Sequence, residues 1–220
     1  ESLMRLADRL LEQGKLSEAV TLYRQLLGQR QVELGETHVD TLVTMYNLVS
    51  LLNQQGHFRE AEVKGRKVVA GFEAQLGEPH DYTLNAISVL ATVLLRQNKL
   101  AEAEGLFRKA LRVRTANFGA SHPTTLDVIA KVAEILTQKQ NFREAELLFK
   151  TAFTGLKATL GQNHSSTLAV MSNYADSLCQ QNKVVAAENL QRKVVTVTRA
   201  TLGGQHYDYF SALFNLATTL

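Results

Sequence analysis

Five copies of one short loop recur at a constant interval, and that interval limits what the chain can fold into. Leu34-Gly35-Glu36-Thr37-His38 runs on to Thr41-Leu42, and Leu76-Gly77-Glu78-Pro79-His80 to Thr83-Leu84. Phe118-Gly119-Ala120-Ser121-His122 runs on to Thr125-Leu126, Leu160-Gly161-Gln162-Asn163-His164 to Thr167-Leu168, and Leu202-Gly203-Gly204-Gln205-His206 to Tyr209-Phe210. The glycines at 35, 77, 119, 161 and 203 are spaced by 42 residues without an insertion. A fixed period of this size means stacked repeats, in which each unit buries its apolar face against its neighbours.

The loop reads as a helix stop followed by a helix start. Glycine after Leu or Phe is expected to supply a left-handed residue that ends one helix without a Cβ clash. The His, Pro, Asp and Thr residues that follow suit the first turn of the next, and in His122-Pro123 the proline falls at the first helical position, where its missing N–H has no partner to lose. Between loops the apolar residues fall in helical stripes, such as Leu42, Met45, Leu48, Val49 and Leu52, or Leu84, Ile87, Leu90, Ala91 and Leu94. Each period therefore holds two helices, divided by a tight turn: Gly14-Lys15, Gln55-Gly56, Gln97-Asn98, Gln140-Asn141 and, later, a turn at Asn182. Asn tolerates the left-handed conformation that glycine adopts there.

Composition agrees with a helical chain: two prolines, no tryptophan, and charged residues that alternate in sign along the helices. The net charge of +3 is small, so nucleic acid is not an expected partner. Arg108-Lys109, Arg112 and Arg114, like Gln191-Arg192-Lys193, are expected on a solvated convex face, and no aromatic residues are interleaved with them for base stacking. Cys179 is the only cysteine, which excludes an internal disulfide and a Cys-based zinc site and points to a reducing, cytoplasmic setting. No apolar run approaches the roughly 20 residues needed to span a bilayer, so no membrane insertion is expected. Position 1 is Glu within a helical pattern, which predicts an excerpt of a longer polypeptide.

Leu90-Ala91, Asn98, Ala103, Phe107 and Ala110 resemble the tetratricopeptide repeat residue for residue: small residues where two helices cross, a tight turn, and an aromatic four residues after the alanine that opens the second helix. The unit is longer than the common form of about 34 residues. With Gly-x-x-His-Pro and Glu-Ala-Glu it is similar to the 42-residue repeats of kinesin light chains and nephrocystin-3-like proteins. HEAT and armadillo repeats have a comparable period but do not call for alanine at both 91 and 103. The resemblance implies an all-α, right-handed superhelical solenoid of antiparallel helix pairs. The chain is read as one array: an incomplete unit at 1–37, complete units at 38–79, 80–121, 122–163 and 164–205, and a half unit at 206–220, where Leu213, Phe214, Leu216 and Leu220 would lack a following helix.

Catalytic and metal chemistry find little support. His38, His80, His122, His164 and His206 share one repeat position, so neighbours are separated by about 8–10 Å per packed helix, whereas zinc needs its ligand nitrogens within about 2.1 Å. They are expected to serve the helix starts, and His57 lies in an inter-helix turn. No Gly-x-Ser-x-Gly elbow is present, no His shares a helix face with Cys179, and the glycines are too dispersed for a phosphate loop or dinucleotide fingerprint. No cofactor, no small-molecule substrate and no enzymatic activity are expected.

The resemblance implies a protein-binding scaffold whose concave side, lined by the first helix of each pair, receives a partner's extended peptide or helix, with cargo adaptation as the kinesin-light-chain version of that role. A regulatory or sensor array joined to an enzymatic domain elsewhere is the alternative. Projected inward, the first helices present Asn47, Ser50 and Gln54; Asn85, Thr92 and Arg96; Asp127, Lys131, Glu134 and Gln138; Asn173, Asp176 and Gln180; and Asn215. Asn47, Asn173 and Asn215 share one position and suit the backbone of an extended ligand. Arg96 and Lys131 are the central cations and candidates for an acidic ligand group. With Asp8, Asp127, Glu134 and Asp176 on the same face, a neutral or mixed-charge segment is the expected ligand.

Overall fold

The computed structural model describes residues 3–219, and these form eleven helices with no strand among them: α1 (Leu3–Glu12), α2 (Leu16–Leu34), α3 (Val39–Gln54), α4 (Phe58–Leu76), α5 (Asp81–Arg96), α6 (Leu100–Phe118), α7 (Pro123–Gln138), α8 (Phe142–Thr159), α9 (Ser165–Gln180), α10 (Val184–Leu202) and α11 (Tyr207–Thr219). They fall into two compact units, residues 1–110 and 111–220, with the division inside α6. In the first unit α1 packs on α2, α2 on α3, α3 on α4 and α4 on α5, while α3 also touches α5. The second has α7 on α8, α8 on α9, α9 on α10 and α10 on α11, with α7 against α9 and α9 against α11. First helices of neighbouring pairs are thus side by side, α3 with α5 in the first unit and α7, α9 and α11 in the second. Leu220, expected in the terminal apolar stripe, lies outside the described residues; Phe214 of that stripe is exposed, and Leu213 and Leu216 are half-buried.

The two kinds of connection differ in backbone. In each tight turn one residue takes positive φ: Gly14, Gly56, Asn98, Gln140 and Asn182, the three non-glycines at 60–61°. The hydrogen bonds around it are those of a Schellman motif, for example Asn98 N–H to the Leu95 carbonyl at 2.9 Å and Lys99 N–H to Leu94 at 2.9 Å. In the fourth turn the special residue is Gln140, one place before the Asn141 of the sequence pair; Asn141 instead binds the Glu144 carboxylate through its amide at 2.9 Å. The long-loop glycines are not left-handed helical as expected. Gly35, Gly77 and Gly203 combine φ of 83–92° with ψ of 162–165°, an extended region essentially closed to any residue with a Cβ.

The histidines then cap the next helix. The Nδ1 atoms of His38, His80, His122, His164 and His206 accept the backbone N–H two residues on, at 3.1–3.3 Å. Nδ1 must therefore be unprotonated, which places the neutral ring's proton on Nε2. Pro123 occupies the first turn of α7 as expected. A fully buried threonine follows in four copies. Thr83 and Thr167 donate back to the Gly77 and Gly161 carbonyls at 2.7 and 2.8 Å, so the hydroxyl satisfies the loop that the glycine creates. Thr41 reaches the Arg30 carbonyl at 3.3 Å instead, and the buried Thr125 hydroxyl has no partner.

Small residues fill the crossings within pairs. Ala91 and Ala103, Ala133 and Ala145, and Ala175 and Ala187 are all inaccessible to solvent. Around the last two pairs Leu126, Phe149, Leu156, Val170, Tyr174 and Leu178 form one core, with Phe149 and Tyr174 stacked at 5.6 Å. Two residues expected on the solvated face of second helices are buried: Gln191 at 0% and Arg114 at 4% exposure. Arg108 and Arg192 do face solvent, each paired with a glutamate one turn earlier, Glu104 and Glu188.

Two substitutions check these packing and backbone arguments. Ala103→Leu places a branched side chain into a filled crossing and should destabilise the chain by about 1–3 kcal/mol, read from a lowered denaturation midpoint. Gln140→Gly relieves a Cβ at positive φ and should stabilise it by about 0.5–1 kcal/mol, a smaller gain being expected for Gln140→Asn.

Candidate protein-interaction face

The polar residues singled out on the first helices fall in repeat columns with i, i+4, i+7, i+11 spacing, a single helical stripe. Asn85 and Asp127 share the first column; Asn47, Lys131, Asn173 and Asn215 the second; Ser50, Thr92, Glu134 and Asp176 the third; Gln54, Arg96, Gln138 and Gln180 the fourth. All are half-buried or exposed.

In the first unit much of this stripe is engaged by the protein itself. The Ser50 and Thr92 hydroxyls donate to the Tyr46 and Ser88 carbonyls one turn back, at 3.2 and 2.9 Å. The Arg96 guanidinium lies 5.9 Å from the Phe58 ring centre, a cation–π arrangement. Asn47 bonds the Tyr23 hydroxyl, which donates to Asp8 Oδ1 at 3.0 Å. Burial first, and the Asp8 carboxylate second, push the Tyr23 phenol up to about 12. Asn85 is half-buried, and the Gln54 amide is exposed at the helix end.

The second unit brings its residues together. Glu134, Gln138, Asn173, Asp176 and Gln180 border one hollow of about 190 Å³ between α7 and α9, with Thr137, Ser177 and Phe149 completing it. Lys131, expected to meet an acidic ligand, is paired with Glu134 on its own helix at 2.8 Å. A second recess of about 460 Å³ lies among α9, α10 and α11, where Leu168, Val194 and Ala212 meet Ser172, Asn173 and Asn215. Sequence reasoning did not find it. Two of its lining residues, Ser172 and Asn215, belong to a network around the buried Gln191, whose amide donates to Asp176 Oδ1 at 3.1 Å and Ser172 Oγ at 3.3 Å, while Asn215 Nδ2 donates to the same Ser172 hydroxyl at 3.1 Å. The available signal was a break in a column: Tyr23, Phe107 and Phe149 are followed by Gln191.

Charge on this face is unevenly compensated. Burial raises the Asp127 carboxyl above its ordinary range against the pull of His164, Lys131 and Arg114. Asp176 keeps an edge open to solvent, yet its desolvation outweighs the Gln191 hydrogen bond, and Glu134 adds repulsion, so its carboxyl is also raised. Second helices show the opposite. Glu62 binds Lys99 at 2.6 Å and Arg66 at 2.9 Å, which holds its carboxyl down to about 2; Glu146 binds Lys150 and Lys183, both at 2.7 Å, with the same result. The Lys99 and Lys183 bonds join one pair to the next, as do Arg24–Glu60 and Arg66–Glu102.

No group of three or more His, Cys, Asp or Glu among the described residues could hold a metal ion. Cys179 is half-buried, with its thiol 3.6 Å from the Thr219 hydroxyl. No described helix is long and apolar enough to cross a membrane.

Paired helices on a 42-residue period, with alanines at each crossing and capped loops between, define a repeat array of helix pairs. Models of the tetratricopeptide repeat match residues 1–74, 82–158 and 167–208, and the chain belongs to that family. Its fold is similar to that of a kinesin light chain-like protein of nearly identical TPR-like repeats from Podosopora anserina, at 23% identity and TM-score 0.71 over 90% of this chain and 94% of the other. A substituted form of that protein gives 22% identity and TM-score 0.74 over 91% and 94%. BtubC (BKLC) of P. vanneervenii is similar at 19% identity and TM-score 0.66, over 100% of this chain and 83% of that one. No curated protein matches the sequence.

The ion pairs yield a pH-dependent expectation. Because the folded Glu62 carboxyl titrates near 2, below its unfolded value, its stabilisation is complete above the ordinary carboxylate range and is lost as pH falls toward 2. Glu62→Gln should lower stability by about 1–2 kcal/mol near pH 7, a figure reduced because Lys99 and Arg66 are half-exposed. Urea titrations at falling pH should show the gap between variant and parent closing.

Proposed function

We propose that this chain is a protein-interaction scaffold that holds an extended segment or helix of a partner along its first helices, without catalysis of its own. The observation that supports this best is the set of accessible amide, hydroxyl and charged side chains in equivalent columns of first helices that touch within each unit, α3 with α5 in one and α7, α9 and α11 in the other. Asn47, Asn173 and Asn215 are the backbone-holding groups of this reading; an amide has two donors and an acceptor, of which Asn47 gives one bond to Tyr23 and Asn215 one to Ser172. Ser50, Gln54, Asn85, Thr92, Arg96, Lys131, Glu134, Gln138, Asp176 and Gln180 supply the remaining contacts. Similarity in fold to kinesin light chain-like repeat proteins supports adaptor work, the joining of one protein to another, as the form this binding takes, and the lone free thiol fits a reducing, cytoplasmic setting.

Selection of random displayed peptides on the 220-residue chain tests the proposal. Peptides that bind should lose at least about fivefold in affinity with Asn47→Ala or Asn173→Ala, since each removes about one net hydrogen bond. The Arg108→Ala and Arg112→Ala variants should bind as the parent does; Asn173→Ala should melt with the parent, and Asn47→Ala, which also removes a bond to Tyr23, slightly lower. Loss of binding only through Arg108 or Arg112 would move the ligand to the second helices and refute the assignment.

A further inference from the structure

We infer that the wall formed by α7, α9 and α11 selects a partner segment carrying a basic side chain, arginine or lysine, close to an apolar one. The inference rests on the partner-binding reading above and adds the chemistry of the partner. Two adjoining recesses carry it, and Asn173 lines both.

The smaller recess, about 190 Å³, holds two carboxylates, Glu134 and Asp176, over a base that includes the buried Phe149 ring. Its hydroxyls are satisfied, Thr137 Oγ1 lying 2.8 Å from Ser177 Oγ. One oxygen of each carboxylate is engaged, Glu134 Oε2 by Lys131 at 2.8 Å and Asp176 Oδ1 by the Gln191 amide at 3.1 Å. The other oxygen of each is open to a new donor. Two carboxylates and one ammonium leave a net negative site, and the raised Asp176 carboxyl reflects burial first and Glu134 second. A guanidinium can donate to both carboxylates at once. An acidic side chain would have to pull Lys131 from Glu134 while facing Asp176.

The larger recess exists because of small residues in columns that are bulkier elsewhere. Thr198 stands where the chain has Phe72, Arg114 and Leu156, and Ala169 where it has Asn85 and Asp127. The space of about 460 Å³ is bounded below by Leu168, Val194 and Ala212. Asp208 is the one charged residue among those lining it, so an anionic side chain finds no counter-charge there. An apolar side chain fits, with the Asn173 amide placed between the recesses to hold the segment's backbone.

The composition of peptides selected from a random 12-residue display library against the full chain tests this. Enriched sequences should carry Arg or Lys within a few residues of Leu, Ile, Phe or Trp. A synthetic peptide of the enriched sequence should lose at least about tenfold in affinity to the Glu134→Gln/Asp176→Asn double variant, the scale of one charge-assisted hydrogen bond. Ala169→Phe, which fills the larger recess at a column where Asn85 and Asp127 are tolerated, should weaken binding similarly, and neither variant should melt below the parent. Acidic peptides whose binding depends on Asn173 or Lys131 would overturn this inference and leave the scaffold function standing. Unchanged affinity in the double variant would also overturn it. If no selected peptide depends on Asn47 or Asn173, both readings fall.

Discussion

Everything regular in this protein depends on one backbone conformation. At each long loop the chain must pass through φ near +90° with ψ near +163° where both angles are known, a region that a Cβ closes. Only glycine meets that demand, so Gly35, Gly77, Gly119, Gly161 and Gly203 fix the point at which one pair ends. The tight turns within pairs need only the left-handed helical region, which Asn and, at greater strain, Gln can enter, and there Asn98, Gln140 and Asn182 replace glycine. The difference in tolerance between the two positions is a difference in ψ. Once the loop has this shape, the histidine cap starts the following helix in the same way each time. Equivalent side chains on successive first helices of one unit therefore come to equivalent places.

Against that constant frame, the departures from repetition carry the information. The aromatic column of the second helices reads Tyr23, Gly65, Phe107, Phe149, Gln191. At Gly65 the lost volume is taken up by neighbours: an added Cβ would meet Leu90 at 3.3 Å and Val49 at 3.6 Å. At Gln191 no such closure occurs. A buried amide instead organises Ser172, Asp176 and Asn215 into a polar network, and the recess opens beside it. A buried amide is tolerable only when its donors and acceptor are paired, and pairing them draws Asp176 and Ser172 into fixed positions.

The sequence revealed the fold more fully than the site, for a physical reason. Period, helix pairs, alanine crossings and histidine caps are each set by residues close together in the chain, so patterning and spacing suffice to read them. The glycine conformation was misjudged because sequence distinguishes positive from negative φ but says nothing of ψ. Gln191 and Arg114 were misplaced because a polar residue in a second helix reads as solvated until its column is known to be buried, as it is at Phe107 and Phe149 or at Phe72 and Leu156. The stripe of Asn47, Lys131 and Asn173 was legible, whereas the pairing of Lys131 with Glu134 was one option among several until rotamers were fixed.

Charge is sorted between the two helix sets, and the sorting follows from what each set must do. Second helices place Glu62 and Glu146 within reach of two cations each, one of them from the adjoining pair, so their charges are neutralised and help hold repeats in register. First helices carry Glu134 with Lys131 as its ion-pair partner and Asp176 held by the neutral Gln191 amide, and the Asp127 and Asp176 carboxyls are raised by burial. A wall that served packing alone would gain from neutral side chains in those columns, as Ser50 and Thr92 show, because partly buried and incompletely paired carboxylates oppose folding. The unmet charge lies where the recesses are, so a ligand that supplies a cation there recovers part of what folding left unfavourable. That is the physical basis on which this face would prefer one partner over another.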